Sequence, residues 1–228
     1  MNEINPTKFD SLTNNIDDIA IAIKLVNPNA RQNHLGIFLK PDVNKSPKLL
    51  HLAWHNQFCY DSKIDDGYYY LSTCKNVEKS VVEDFVDWLD NLWTVNGEKI
   101  AYSLFFDVSG KAFDEEGLLL NNQLGQGFTC STFVLECFKC YGFQLIKYDT
   151  WPKREEDKAW IDKIFYALEF RTDNVDPEHV NKQRELGDIT RYRPEEVAVA
   201  ANMHDFEAEP LGFIDIEPYS NDLVRKIS

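Results

Sequence analysis

His34-Leu-Gly-Ile-Phe-Leu-Lys40, then Pro41-Asp-Val-Asn-Lys-Ser-Pro47, then Lys48-Leu-Leu-His-Leu-Ala-Trp54: two apolar segments flank a run of turn formers. On the first segment His34, Gly36 and Phe38 share one face while Leu35, Ile37 and Leu39 share the other. On the second, His51, Ala53 and His55 lie opposite Leu50, Leu52 and Trp54. A side-chain period of two on both sides of a turn reads as an antiparallel hairpin. Its polar face brings two histidines toward each other across Gly36 and Ala53, which are small enough to let another group approach.

Outward from the hairpin, Ile19, Ile21, Ile23 and Leu25 alternate as a preceding strand, and Tyr68 to Leu71 is a following one. Ser80-Val-Val-Glu83 has the form of a capping box, and Val82, Phe85, Val86, Leu89, Leu92 and Trp93 continue it at helical spacing. Ile100 to Phe106 and Phe143 to Tyr148 are expected as strands, Lys111 to Gly127 as a loop. Between them Cys130-Ser-Thr-Phe-Val-Leu-Glu-Cys-Phe-Lys-Cys-Tyr141 steps Phe133, Val134, Cys137, Phe138 and Tyr141 along one helical face, and Gly142 stops it. Asp157 to Phe170 and Pro194 to Asn202 are expected helices, and Pro210 to Pro218 an edge strand between prolines. Strands and helices mix without a βαβ rhythm, so the fold class is α+β.

The chain has 228 residues with 24 Lys+Arg against 38 Asp+Glu, a net charge of −14, which argues against nucleic acid or an anionic membrane as partner. Met1 to Asp18 shows no basic and apolar leader pattern, and no apolar run approaches the roughly 18 to 20 residues of a bilayer span. The expectation is a cytoplasmic protein with its five cysteines reduced. Neither a phosphate-binding glycine loop nor a His-Glu-x-x-His zinc motif occurs, and no cofactor or metal is expected.

Cys130 is the thiol with a chemical reason for its place. It opens a helix after Gly125-Gln-Gly-Phe-Thr129, where free backbone N–H groups and the helix dipole favour thiolate and can cradle an oxyanion. Cys137-Phe-Lys-Cys140 has the spacing of a redox or metal pair, but it falls mid-helix with Cys137 on the apolar face. His179 and His204 stand in charged, exposed-looking surroundings.

The run His34-Leu-Gly-Ile-Phe-Leu followed by Leu49-Leu-His-Leu-Ala resembles the two histidine strands of NlpC/P60 papain-like cysteine peptidases. Thr129-Cys-Ser-Thr-Phe-Val134 resembles that family's Asp-Cys-Ser-Gly-Phe-Val start of the nucleophile helix, with threonine in place of the acid and of the glycine. Here the cysteine follows the histidines, which is the order of the circularly permuted branch that includes the YaeF/YiiX type and the lecithin:retinol acyltransferase relatives. The resemblance covers residues 30 to 54 and 125 to 143.

It implies a papain-like antiparallel sheet packed on a nucleophile-bearing helix, with Cys130 as nucleophile, His34 as general base and His51 as the residue orienting it. His55, on the same face as His51, is the alternative orienting residue. Gly36, Ala53, Tyr102 and Thr129 are the expected substrate-binding positions. The implied activity is that of a cysteine amidase or peptidase on a small-molecule, peptide or lipid-like amide, with an acyltransferase or a non-catalytic papain-like interaction module as alternatives. A core of this kind needs about 120 to 150 residues. Residues 1–150 are therefore the expected catalytic core, and 151–228 a charged, mostly helical extension packed on it.

Overall fold

A computed structural model describes residues 3–11, 15–27, 32–42, 44–120, 122–187 and 189–228; the parts of the expected hairpin loop at 43, of the loop before the cysteine helix at 121 and of the N-terminal stretch at 1, 2 and 12–14 fall outside them. Six strands form one open antiparallel sheet in the order β1-β6-β2-β3-β4-β5. They are β1 (Thr7–Lys8), β2 (Ile19–Asn27), β3 (Gln32–Leu39), β4 (Lys48–Trp54), β5 (Gln57–Asp61) and β6 (Tyr68–Ser72). Six helices are described, α1 (Lys79–Asn96), α2 (Cys130–Tyr141), α3 (Lys158–Phe170), α4 (Pro177–Glu185), α5 (Pro194–Met203) and α6 (Phe213–Ile227). The α+β class and the hairpin are as the sequence indicates.

The period of two sorts the sheet's faces. Leu35, Ile37, Leu39, Leu50 and Leu52 join the main core with Phe85, Phe133, Val134, Cys137 and Phe138 from α1 and α2. Phe38, Leu49, Ala20, Ala22, Tyr68 and Tyr70 make a smaller cluster on the opposite face, covered by Phe9 and Ile16 of the N-terminal segment. Phe133 sits against Phe58 at 5.1 Å between ring centroids, and Phe138 against Phe85 at 5.1 Å. Each such fully buried ring contributes about 1.5–3 kcal/mol, and together they tie α2 to β5 and to α1. Val197 to Ala201 of α5 and Ile216, Leu223 and Ile227 of α6 belong to the same main core, so segments on both sides of residue 150 share one apolar interior.

Several expected elements differ. Ile100 to Phe106 is not a strand; only Tyr102 bridges, in parallel, to Phe128. Phe143 to Tyr148 likewise supplies a single bridge, Ile146 to Leu211, before a 3₁₀ turn at Tyr148–Thr150. Both segments run alongside other loops instead of a sheet edge, so no ladder propagates. Pro210 to Pro218 is not an edge strand, because α6 starts there. Asp215 accepts the Gly212 N–H at 3.0 Å, and Ile216, Ser220, Leu223 and Ile227 form one buried stripe. Pro218 is tolerated inside because the carbonyl it leaves without a helical donor belongs to Ile214, which is 80% exposed and reaches water. Ser80 does not cap α1; the helix begins one residue earlier, with Glu78 at the N-cap and no side-chain cap bond.

Candidate functional site

The start of α2 is fixed by two threonines, Thr129 and Thr132. Thr132 N–H donates to Thr129 Oγ1 at 3.2 Å while Thr129 N–H donates to Thr132 Oγ1 at 2.8 Å, a reciprocal capping box built from hydroxyls. Thr129 O takes the Phe133 N–H. The amides of Cys130 and Ser131, first in the helix, have no carbonyl partner within it. Burial pushes the Cys130 thiol above its ordinary value, opposed by N–H groups of Leu35 and Ser131, by the Ser131 hydroxyl and by the Arg191 charge. Helix α2 packs against β3 and β4, so Cys130 opens it beside the strand that carries His34.

On the sheet, the β3–β4 ladder runs from Leu39↔Lys48 to Ile37↔Leu50, and beyond it a cavity opens. Its volume is about 250 Å³, and its wall includes His34, His51, Ala53, Trp54, Tyr102, Thr129 and Cys130. His34 Nε2 and His51 Nδ1 are 2.8 Å apart, and His51 Nε2 is 3.0 Å from Asp61 Oδ2. A carboxylate only accepts, so the His51 proton sits on Nε2 and its Nδ1 accepts from His34 Nε2–H. That order leaves His34 Nδ1 without a proton. No hydrogen bond joins His34 to Cys130 among the described residues, although both line the same cavity.

Gly36 makes the histidine pair possible. A Cβ at this position would stand 2.9 Å from His51 Cβ, 2.9 Å from Leu49 Cδ1 and 3.0 Å from the Leu50 carbonyl oxygen. With no side chain there, His51 lies across the strand to His34. Gly36 therefore touches the histidine rather than the cavity wall, whereas Ala53, Tyr102 and Thr129 are on the wall. Tyr102 packs its ring on Trp54 at 4.4 Å, and its hydroxyl is pushed well up by burial and the neighbouring Cys130.

His55 is not behind His34. Its Nδ1 accepts the Tyr102 N–H at 3.3 Å and its ring meets His179 edge-on at 5.1 Å. His179, expected at the surface, is buried at 4% exposure; Nδ1 accepts the Gly125 N–H at 3.0 Å and Nε2 donates to the Tyr102 carbonyl, also at 3.0 Å. His204 is buried as well, packed on Phe206. Both were misplaced because their local sequences are charged while α4 and the end of α5 turn these particular positions inward. Cys137 and Cys140 are buried, and Cys140 Sγ donates to Glu136 Oε1 at 3.1 Å, with its thiol pushed up to about 12. His51, Cys59 and Asp61 present ligand atoms within 4.8 Å of one another, a set able to hold a divalent ion only by breaking the His51–Asp61 bond.

Asp61 and the far wall were not read from the sequence. Asp61 ends β5, and the available signal was the two-residue His55-Asn56 turn, with Asn56 at φ 54°, followed by Phe58 and Tyr60 in alternation. The far wall comes from Trp160, Ile189, Thr190, Arg191, Tyr192 and Pro194. Behind it Asp157 binds Arg154 at 2.9 Å, Arg191 at 2.9 Å and Arg193 at 2.8 Å, and Glu196 binds Arg154 and the Trp151 indole. This network joins the segment before α3 to the cap of α5. No local motif announces it, because its members lie up to 45 residues apart.

Burial, then the charge of His51 and then that of Lys24, lower the His34 pKa from 6.5 to about 3. The unfolded chain thus takes up a proton near pH 6.5 that the folded chain refuses until near pH 3, so His34 contributes stability at neutral pH that is lost as pH falls through that window. The melting temperature should fall between pH 7 and 4, and His34→Gln should flatten part of that slope. A slope identical in the two proteins would show that His34 is not held neutral by the fold.

Among the described residues no helix is long and apolar enough to cross a membrane. Compared with known proteins, the chain matches no family model, no curated protein and no solved structure.

Proposed function

We propose that the chain is a cysteine hydrolase that cleaves a small amide through an acyl-enzyme, with Cys130 as nucleophile and His34 as base. The observation that carries this reading is the His34–His51–Asp61 relay, which leaves His34 Nδ1 bare on the cavity that also exposes the thiol at the head of α2. Burial favours neutral thiol and neutral imidazole at rest, so the nucleophile forms only as the bond does. His34 Nδ1 takes the thiol proton, sulfur bonds to the carbonyl carbon, and the oxyanion meets the first N–H groups of α2. The imidazolium then gives its proton to the departing amine as the C–N bond breaks. Water, losing a proton to His34, attacks the thioester; the C–S bond breaks and sulfur recovers the proton.

The test is acylation by 4-methylumbelliferyl butanoate, located by peptide mass spectrometry. Cys130 should carry the butanoyl group during turnover, and Cys130→Ala should release no methylumbelliferone above background. Acylation of Cys59 or Cys74 at the same rate as Cys130 would overturn the assignment. A protein that binds small amides at this cavity yet never acylates would be the non-catalytic module. Release accelerated by an added amine, with the acyl group recovered on that amine, would make the second step transfer rather than hydrolysis.

A further inference from the structure

The far wall of the cavity carries one cationic side chain, Arg191, in a protein whose net charge is −14. Three guanidinium groups, those of Arg154, Arg191 and Arg193, share two carboxylates that are each 3% exposed, Asp157 and Glu196. Within this network Arg191 is the member that reaches the cavity beside the thiol, near enough for its charge to favour the Cys130 thiolate. Its side chain is 12% exposed, and one face of the guanidinium lies on the Trp160 ring at 4.0 Å.

The donors of Arg191 are underused. A guanidinium has five N–H groups in a fixed fork. Among the described residues only Nη1 makes a hydrogen bond, to Asp157 Oδ1 at 2.9 Å, and Nε is buried with no partner. Two other wall residues carry the same signature: Trp160 Nε1 is a buried donor without an acceptor, and Asn33 Oδ1 a buried acceptor without a donor, its amide nitrogen being given to Glu195. Buried polar atoms in a folded protein are ordinarily paired, and the two unpaired donors, Arg191 Nε and Trp160 Nε1, beside one cavity point to an acceptor that pairs them, whereas Asn33 Oδ1 would take a donor. The edge of Arg191 left over, Nε with Nη2, is the one a carboxylate takes side-on through two parallel bonds.

Resting on the reading of Cys130 as the nucleophile, we infer that the substrate's acyl part carries a carboxylate, bound by Arg191 against Trp160, so that the substrate class is the half-amide of a short dicarboxylic acid. The cavity volume of about 250 Å³ limits the bound acyl part to a few carbons. Butanoyl and other neutral acyl groups fit the space but leave the Arg191 edge unpaired, so they should acylate Cys130 measurably but more slowly than a carboxylate-ended chain of matching length.

The experiment compares 4-methylumbelliferyl half-esters of succinic, glutaric and adipic acid with the matching esters that end in a neutral carboxamide. At the best chain length the carboxylate ester should acylate Cys130 ten- to a hundredfold faster than its carboxamide partner, and that ratio should fall to about one in Arg191→Gln. Arg191→Lys, which keeps the charge and loses the fork, should give an intermediate ratio and covers the case in which the glutamine variant fails to fold. A ratio of one or less in the unaltered protein, or a preference that survives in Arg191→Gln, overturns the inference while the nucleophile assignment stands. Calorimetry of glutarate against glutaramide on Cys130→Ala supplies the reverse separation. Selective glutarate binding without any acylation of the unaltered protein would keep the anion site and remove the nucleophile.

Discussion

Replacing His34 with alanine is expected to slow acylation of Cys130 by an activated ester by about 10²–10⁴-fold, the usual contribution of a positioned base. The loss should be large here because the other histidine on the cavity wall, His51, is held through its Nε2 by Asp61. Burial pushes the Cys130 thiol up, so little thiolate exists without His34, and His55, the nearest histidine in sequence to the relay, is turned away onto the Tyr102 amide. His55→Ala is accordingly the control that should leave the acylation rate within about twofold, since among the described residues its ring bonds to the Tyr102 amide and meets His179 rather than His34 or Cys130. His51 acts through His34 and is a positioning residue. His51→Ala should lose about 10–100-fold, and His51→Asn should recover most of it, because an asparagine carbonyl also accepts the His34 Nε2 proton. Asp61 is half exposed, with 49% of its side-chain surface accessible, so solvent weakens its hold on His51 and Asp61→Ala should cost less than either histidine. Equal rates in His34→Ala and the unaltered protein would remove the base from the mechanism.

How much of this was legible in the sequence follows from the range of the interactions. The hairpin, the faces of β3 and β4 and the placement of Cys130 at a helix start depend on periods of two and 3.6 and on neighbours within a few residues, and all three stand in the structure. The choice between His51 and His55 was not legible. It is set by a missing side chain at Gly36 and by the Leu52/Trp54 irregularity in the β4–β5 ladder, neither of which a pattern of alternation registers. Residues 143–148 and 210–218 misled for a related reason. Short apolar runs read as strands until their partners are known, and here the partners are single bridges or a helix stripe spread from Ile216 to Ile227. The cavity's far wall was least legible of all, because Arg191 is a surface-type residue until Asp157 and the Trp160 ring hold it inward.

That network also changes how the region after residue 150 is understood. As a charged extension it would be expected to carry solvated acids, and many of its carboxylates are exposed. Asp157 and Glu196 are not; they hold three arginines in place behind the cavity, and α5 between them and the sheet is nearly all apolar, from Val197 to Ala201. The region supplies a wall of the candidate site and part of the core at once. Shortening the chain after residue 150 would therefore expose the inner faces of β2, β3 and α2, which α5 covers. The residues proposed to carry the reaction, His34 and Cys130, and those proposed to select the substrate, Trp160 and Arg191, come from the two sides of residue 150, and α5 packs on β2, β3 and α2 between them.

Gly127→Ala should destabilise the fold by about 3 kcal/mol or more, through steric conflict added to backbone strain. Gly127 holds φ at 148°, and a Cβ there would stand 2.2 Å from the Ala101 carbonyl oxygen and 2.8 Å from its carbon. The obstacle is backbone, so no rotamer change relieves it. Moving the backbone instead would break the pair of bonds that ties this segment to the approach to α2, Phe128 N–H to Ala101 O at 3.1 Å and Ser103 N–H to Phe128 O at 3.1 Å. Thr129 and Cys130 follow directly, so the same displacement moves the cap and the thiol away from β3. Gly142 isolates the two contributions. It closes α2 at φ 103°, also in the left-handed region, but a Cβ there meets nothing within 4 Å. Gly142→Ala should then show the conformational part alone, about 1 kcal/mol. Urea unfolding of the two variants measures the difference, and acylation of Cys130 under conditions where both remain folded should be lost in Gly127→Ala and kept in Gly142→Ala. Equal destabilisation by the two substitutions would mean that the Ala101 carbonyl yields freely and that the close approach at Gly127 does not fix the nucleophile's position.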